Sequence, residues 1–511
     1  MGQGGYSRRR LLGGLAGFGG VAGACAASEA LGVTSFTGLL RAGGDETVRP
    51  ARTAPGRGTN RVVTENRAPG VDGFTLERLR FGNDIRRQVE GYASETSVEP
   101  GGSLDLHGSV GAARRFRIRV YRVGDYAGTG ARLMTQSPWL AGTRQPLPIP
   151  RAGSGLLSCD WPVSWTLRVG RDWVSGYYLA LFVSEDGYHR WYPFVVREPN
   201  RASDLLVVVG TATYQAYNQW PLDRTTGRSL YYGYTASGTK DYQERSRVVS
   251  HDRPYRGNGL PNLVQRDIGL VRWLESAGYD LTYATSEDLH AGRVHSARHR
   301  AIVFASHDEY WSPDMRQRVT SARDAGVSLA FMTANNVYWK IEYQPASDGR
   351  PDRVVHCEKV RPGAAPATGR DLVKWRETDP EQRLLGVQYS TVLPGSVPLV
   401  VRGADHWFWA GTGARNGDRI RDVVSEEVDA QLAGVPLPRH RERVLLAASP
   451  FTSTYGRPAT QHTQLYQAES GAWVFVAGTL GWSRSLYDPE YHDPRIEHAT
   501  QNLLARMTGG G

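Results

Sequence analysis

Ala301-Ile-Val-Phe-Ala-Ser-His-Asp-Glu-Tyr-Trp-Ser312, followed by Pro313-Asp-Met-Arg-Gln-Arg-Val-Thr-Ser-Ala-Arg323, is the stretch that decides the fold. The run 301–305 is apolar throughout, as a strand covered on both faces should be. Ser312 and Pro313 read as a helix start. A serine hydroxyl can accept a first-turn N–H, and the fixed φ of proline suits the first helical position. His307, Asp308, Glu309 and Tyr310 crowd the turn between strand and helix. In an open parallel sheet such turns lie at the carboxyl ends of the strands, where ligands bind.

The same alternation continues on both sides. Leu205-Leu-Val-Val-Val-Gly210 is a second continuous apolar run. Leu263 to Gly278 has helical spacing, with Ile268, Val271 and Leu274 on one stripe and Gly278 as C-cap. Tyr279–Ala284, Val327–Thr333 and Ala472–Ala477 are further strands, and a helix from Asp493 and Pro494 to about Met507 closes the chain. This predicts an α/β doubly wound parallel sheet over residues 200–511. Upstream, over 70–199, the period is two. Phe116, Ile118 and Val120 alternate with Arg115, Arg117 and Arg119, and Gly176–Val183 and Trp191–Val196 follow as strands. Several short strands of this kind predict an all-β immunoglobulin-like sandwich, with Trp161, Trp165 and Trp173 in its core.

The N-terminus reads as an export signal rather than part of the fold. Ser7-Arg-Arg-Arg-Leu-Leu12 is a twin-arginine pattern, a Gly/Ala/Leu-rich run follows, and Ala24-Cys25-Ala26 offers a cleavage site or a cysteine for lipid. The run is too short and Gly-rich for a stable membrane span. An extracellular or cell-envelope location is expected, with residues 27–69 as a flexible linker rich in Gly, Arg, Thr and Pro. Loss of residues 1–26 removes three arginines and no acid, taking the net charge from +10 to +7. Only four lysines occur, so the basic charge is scattered arginine, and no nucleic-acid-binding motif accompanies it. Of three cysteines, Cys159 and Cys357 lie inside the fold, as one disulfide or two buried thiols, and no CxxC suggests a zinc site.

Three strands end in polar clusters: Thr211 to Asn218, Ser306 to Glu309, and Ala334-Asn335-Asn336. In a parallel sheet they open on one edge, which is what a site needs. There is no Gly-x-Ser-x-Gly elbow, no strand-end cysteine, no His-Glu-x-x-His and no phosphate-binding loop. What remains is carboxylate, imidazole, phenol and amide. Phenolate and carboxylate oxygens suit a hard, highly charged ion such as ferric iron.

From about Asp204 onward the chain resembles the C-terminal catalytic region of the large (β) subunit of N,N-dimethylformamidase. The carriers are Ala216-Tyr217-Asn218, Ser250-His-Asp-Arg-Pro-Tyr255, Trp273-Leu-Glu-x-x-Gly-Tyr279, Asp288-Leu-His290, Ser306-His-Asp-Glu-Tyr-Trp-Ser312, Ala334-Asn-Asn-x-Tyr-Trp339 and Gly471-Ala-x-Val-Phe-x-Ala-Gly478. The resemblance implies a glutamine-amidotransferase-like α/β domain and a mononuclear-iron amidohydrolase acting on a small amide. Two tyrosines and a carboxylate would hold the iron. Carried over, these are Tyr217, Tyr255 and Glu309, with His307 supporting a ligand or acting as acid/base and Asn335 orienting substrate or water. Tyr255 rests on the resemblance alone, Tyr214, Tyr231 and Tyr232 are rivals for the tyrosine places, and Tyr310 is expected in the core. The roles of Glu427, Asp429, Asp405 and His406 stay open. So do a homo-oligomer and a small partner subunit like the one the resembled enzyme uses. Two other functions stay open: a non-catalytic surface protein binding carbohydrate or matrix through the sandwich, and a metal-free glycoside hydrolase pairing Glu309 with Glu427.

Overall fold

The structure is a computed structural model, and it describes residues 58–71, 80–305, 307–359 and 374–509. The expected export signal lies outside the described residues. The chain is β-rich, with several sheets and few helices. Residues 58–69, expected as the end of a flexible linker, instead carry helix α1 (Arg61–Asn66). Asn60 caps it by accepting from the Val63 N–H, Val62 is buried, and Asn66 Nδ2 donates to Glu275 at 2.8 Å. Those contacts outweigh the linker-like composition around them.

The sandwich forms from alternating strands. Its smaller sheet contains β1 (Val89–Ala93), β2 (Ser103–Val110) and β5 (Trp165–Arg168), paired antiparallel in the order β1–β2–β5. The larger has β3 (Arg114–Val123), β4 (Ala131–Gln136), β6 (Gly176–Ser184) and β7 (Tyr188–Val196), in the antiparallel order β4–β3–β6–β7. Phe116, Ile118 and Val120 of β3 are buried as the alternation predicts. So are Trp161 and Trp173, with Trp165 packed partly buried against the same core.

The second half begins with β8 (Ser203–Val209), α2 (Thr211–Tyr217), α3 (Val264–Ser276), β9 (Leu281–Thr285) and α4 (Ser286–Ala291). Then come β10 (His299–Phe304), α5 (Pro313–Asp324) and β11 (Ser328–Phe331). A long hairpin, β12 (Gln388–Val400) with β13 (Arg419–Ala430), precedes β14 (Glu442–Thr452), β15 (Pro458–Gln467), β16 (Trp473–Val476) and the closing helix α6 (Pro494–Thr508). The strands assemble in the order β9–β8–β10–β11–β16–β15–β14. The first five run parallel, and the last two are antiparallel additions.

Each parallel strand is apolar on both faces because both faces are covered. Leu205, Val207, Val303 and Ala330 share one core with α3 and α6 residues such as Leu270 and Leu503. Leu206, Val208, Ile302 and Phe331 share the other with Met315 and Val319 of α5. The Ser312 hydroxyl accepts from the Met315 N–H at the start of α5, as its sequence predicts. Phe304 lies opposite both Val208 and Phe331, so the ends of β8, β10 and β11 come side by side.

Buried ion pairs tie the sandwich to this sheet. Arg122 of β3 forks onto Glu275 of α3 at 2.8 and 2.9 Å, and neither side chain is exposed. Tyr283 donates to the same carboxylate at 2.8 Å. Cys159 and Cys357 are both buried free thiols, so the disulfide alternative does not hold.

Removing one partner of a buried pair strands the other charge. Glu275→Ala should therefore lower stability to denaturant by about 3–5 kcal/mol. Arg115→Ala, at the exposed pair with Glu185, should cost under about 1 kcal/mol. Equal losses would show that the buried clasp does not hold the two halves together.

Candidate active site

The three aligned strand ends carry the cluster. Tyr217 is the last residue of α2, which leaves β8 directly, and its hydroxyl donates to Glu309 Oε2 at 2.7 Å. Glu309 follows β10, and its N–H donates to the Thr213 hydroxyl at 3.0 Å, which ties it to α2. From the turn after β11, the N–H groups of Val337 and Tyr338 donate to the carbonyls of Asp308 and Glu309. Asn335, in the same turn, takes a left-handed φ of +54°, which asparagine tolerates better than most residues.

Tyr231 completes the group. Its hydroxyl lies 2.8 Å from both Glu309 oxygens and 2.9 Å from the Tyr217 hydroxyl, and the two rings stack at 4.4 Å. The Lys359 ammonium lies 3.1 Å from the Tyr231 ring centroid, a cation–π contact. Three oxygen-bearing side chains thus converge, all buried, with Glu309 only 3% exposed.

An acid–imidazole layer sits beside them. His307 Nε2 is 3.5 Å from Glu309 and 3.3 Å from Glu427, while Nδ1 is held by the Ala334 carbonyl at 3.1 Å. That carbonyl can only accept, so Nδ1 bears the proton in the neutral ring and Nε2 faces the acids. Asn335 Nδ2 donates to Glu427 at 2.8 Å, and the Asn335 N–H to Asp429 at 2.9 Å.

Burial would pull the His307 pKa down, but the charges of Glu427 and Glu309 outweigh it and hold the ring up to about 9. Burial pushes Glu427 up to about 7, with His307 opposing and Glu309 adding to the push. Glu309 itself is held below its ordinary range: burial would raise it, but His307, Lys359 and Tyr217 favour the anion. Burial also raises Asp308 and Asp429 to about 7. Neighbouring groups pushed apart in this way are the arrangement that proton transfer uses. The small cleft beside them is lined by Tyr217, His307 and Glu427 on this side.

Tyr217, Glu309, His307 and Asn335 thus meet, as the strand-end reading expects. Tyr255 does not join them. Its ring packs against Tyr192 of the sandwich at 5.4 Å and against Tyr214 at 6.4 Å, in the other hydrophobic core. Tyr231 stands where the second tyrosine was expected. Tyr214 donates instead to Asp267. Tyr310 is fully buried in the core as expected. Glu427 and Asp429, left open by the sequence, reach the site on β13, whereas His406 caps a short turn and pairs with Glu442 at 3.1 Å.

Among the described residues no group of three or more His, Cys, Asp and Glu is disposed to hold a metal ion. Tyr217, Tyr231 and Glu309 fit a hard trivalent ion by donor type. The buried Oδ1 of Asn335 has no hydrogen-bond partner among the described residues.

Phenols, an imidazole and acids thus meet at adjoining ends of a parallel sheet, the edge at which open α/β sheets bind their ligands. The chain belongs to the N,N-dimethylformamidase beta subunit-like, C-terminal family, whose model matches residues 117–494. The match begins inside the sandwich, upstream of the boundary near Asp204 that the motifs suggested. Relatives include N,N-dimethylformamidase beta subunits from an Alcaligenes species and from Paracoccus aminophilus. Each is 24% identical over 222 residues, which is 37% of this chain and 29% of the relative. The chain thus matches under a third of these curated relatives' length. A superoxide reductase (neelaredoxin) from Ignicoccus hospitalis aligns over 24% of this chain and 98% of its own, at 12% identity and a TM-score of 0.15. That likeness is too slight to carry an argument.

Asp429 gives a test of the electrostatics. With its folded pKa raised to about 7 from an ordinary 3.8, the folded state keeps a proton that the unfolded chain releases above pH 4. Stability is therefore lost as pH rises from about 4 through 7. Asp429→Asn removes this dependence. Its stability relative to the parent should improve by on the order of 2–4 kcal/mol between pH 4 and pH 8 in metal-free protein. A difference that does not change with pH would show that Asp429 is charged when folded.

Proposed function

We propose that this chain is an exported, iron-dependent hydrolase of the carbon–nitrogen bond in a small amide. The observation that carries the reading is the convergence of two phenols and a carboxylate beside an imidazole within hydrogen-bonding distance. Membership of the dimethylformamidase β-subunit-like family supports it. Tyr217, Tyr231 and Glu309 would hold the ion. When bound, such an ion supplies Lewis acidity toward the amide carbonyl and toward water. The parallel strands, helix-covered on both faces, support a doubly wound, glutamine-amidotransferase-like domain as the platform.

The remaining steps belong to the chain's own side chains. Glu427, raised to about 7 by burial, takes the proton from the attacking water. His307, charged and fixed through Nδ1, gives a proton from Nε2 to the departing amine, since an amide nitrogen leaves as the neutral amine only when protonated. Asn335 holds Glu427 through Nδ2 and turns Oδ1 to the substrate. A partner subunit is proposed as well, because the relatives are named as subunits. No described helix is long and apolar enough to cross a membrane.

Purified protein should contain iron and hydrolyse small amides, and Glu309→Ala should lose both. His307→Gln should keep its iron and lose turnover by about 10²–10⁴-fold. Equal iron in the parent and Glu309→Ala would refute the ligand assignment, and full turnover in His307→Gln would refute the proton donor.

A further inference from the structure

Glu427 reaches His307 at 3.3 Å and Asn335 at 2.8 Å from a strand that is irregular at the residue before it. The pairing of β12 with β13 slips there: Val392 lies opposite Glu427 and Ser396 opposite Ser425, which leaves Glu426 without a ladder partner. Glu426 also takes a left-handed φ of +59°. A residue with a Cβ adopts that region only when its surroundings hold it there. Its two neighbours are anchored. The Ser425 N–H donates to the Thr479 hydroxyl at 2.9 Å, and the Glu427 carbonyl accepts from the Leu480 N–H at 3.3 Å. The turn at Glu426 therefore decides the direction in which the Glu427 side chain leaves the strand.

Arg266 supplies the hold. Val424 and Val428 are buried in one core, and in a regular strand Glu426 would point into that core between them. Its left-handed turn brings the carboxylate instead to α3, where the Arg266 guanidinium donates to it. The two side chains are 13% and 10% exposed, and neither forms another ion pair among the described residues. A carboxylate this far out of water is kept in place by the cation that replaces its hydration. Neither residue belongs to the motifs that carry the family resemblance.

We propose that Arg266 is a positioning residue: its ion pair keeps Glu426 in the left-handed turn that sets Glu427 against His307 and Asn335. The inference rests on the proposed function in taking Glu427 as the group that accepts the proton from water. Arg266 pairs with Glu426 and with none of the proposed iron ligands, so its loss should leave the ion in place. What should change is the alignment of the proton acceptor, where a displacement of about 1 Å costs on the order of 10²-fold in rate.

Hydrogen exchange on the full chain reads this hold without turnover. Arg266→Ala should speed exchange at least about tenfold over 424–430 and over 334–338, the turn joined to Glu427 and Asp429 through Asn335. Arg266→Lys, which keeps the charge, should stay within about threefold of the parent. In turnover of a small amide, Arg266→Ala should lower kcat about 10–100-fold, with KM within about threefold and the iron content unchanged, and should cost nothing further in Glu427→Gln. Exchange that is unchanged or faster only over 264–268, an unchanged kcat, or additive losses with Glu427→Gln would each overturn the proposal. Arg266→Ala together with Glu426→Gly strands no charge and removes the same restraint, since glycine takes the left-handed region freely. That paired variant decides the matter if Arg266→Ala does not fold. A parent that hydrolyses no amide would refute the proposed function, and the exchange rates would still decide whether Arg266 holds Glu427.

Discussion

Glu309 is a carboxylate taken almost wholly out of water, and a buried charge persists only where partners replace its hydration. Two phenol hydroxyls, an imidazole and a nearby ammonium do so here. Meeting that requirement recruits most of the local architecture. Tyr217 has to end α2, so α2 has to leave β8 at once. Thr213 has to reach the Glu309 N–H, and the turn after β11 has to close on the Asp308 and Glu309 carbonyls. Parallel pairing of β8, β10 and β11 brings these ends together, and the two cores hold the sheet in place.

The sandwich is part of that support. Arg122 reaches Glu275 on α3, and Thr96 and Ser97 donate to Glu287 and Asp288 at the start of α4 at 2.8 and 2.7 Å. Glu287 also accepts from Thr211, the first residue of the helix that carries Tyr217, at 2.6 Å. One buried carboxylate therefore links the sandwich, α4 and α2. This explains why Tyr255 packs against Tyr192 of the sandwich: the segment after Ser250 is the seam between the halves, and its aromatic fills that seam. It agrees with a family match that begins within the sandwich.

What could be read from the sequence followed periodicity. Strands 205–209, 301–304, 328–331 and 473–476 are legible because burial on both faces demands unbroken apolar runs. Their loops delivered Tyr217, His307, Glu309 and Asn335 because a parallel sheet places those ends on one edge. Tyr231 and Glu427 had no such signal. Tyr231 lies in an irregular segment with no period to place it. Glu427 sits on a hairpin strand whose pairing slips at several points, and its neighbour Glu426 has φ +59°, so alternation could not tell which face it occupies. Helix α1 was hidden for another reason. It is a single short helix, held by its cap and by Glu275, and neither leaves a hydrophobic stripe.

Tyr231, rather than Tyr255, is proposed to share the ion with Tyr217 and Glu309. The visible absorption of iron-loaded protein measures this directly, because a phenolate bound to ferric iron gives a charge-transfer band. The band should weaken or vanish in Tyr217→Phe and Tyr231→Phe and persist in Tyr255→Phe. A band lost in Tyr255→Phe and intact in Tyr231→Phe would contradict it.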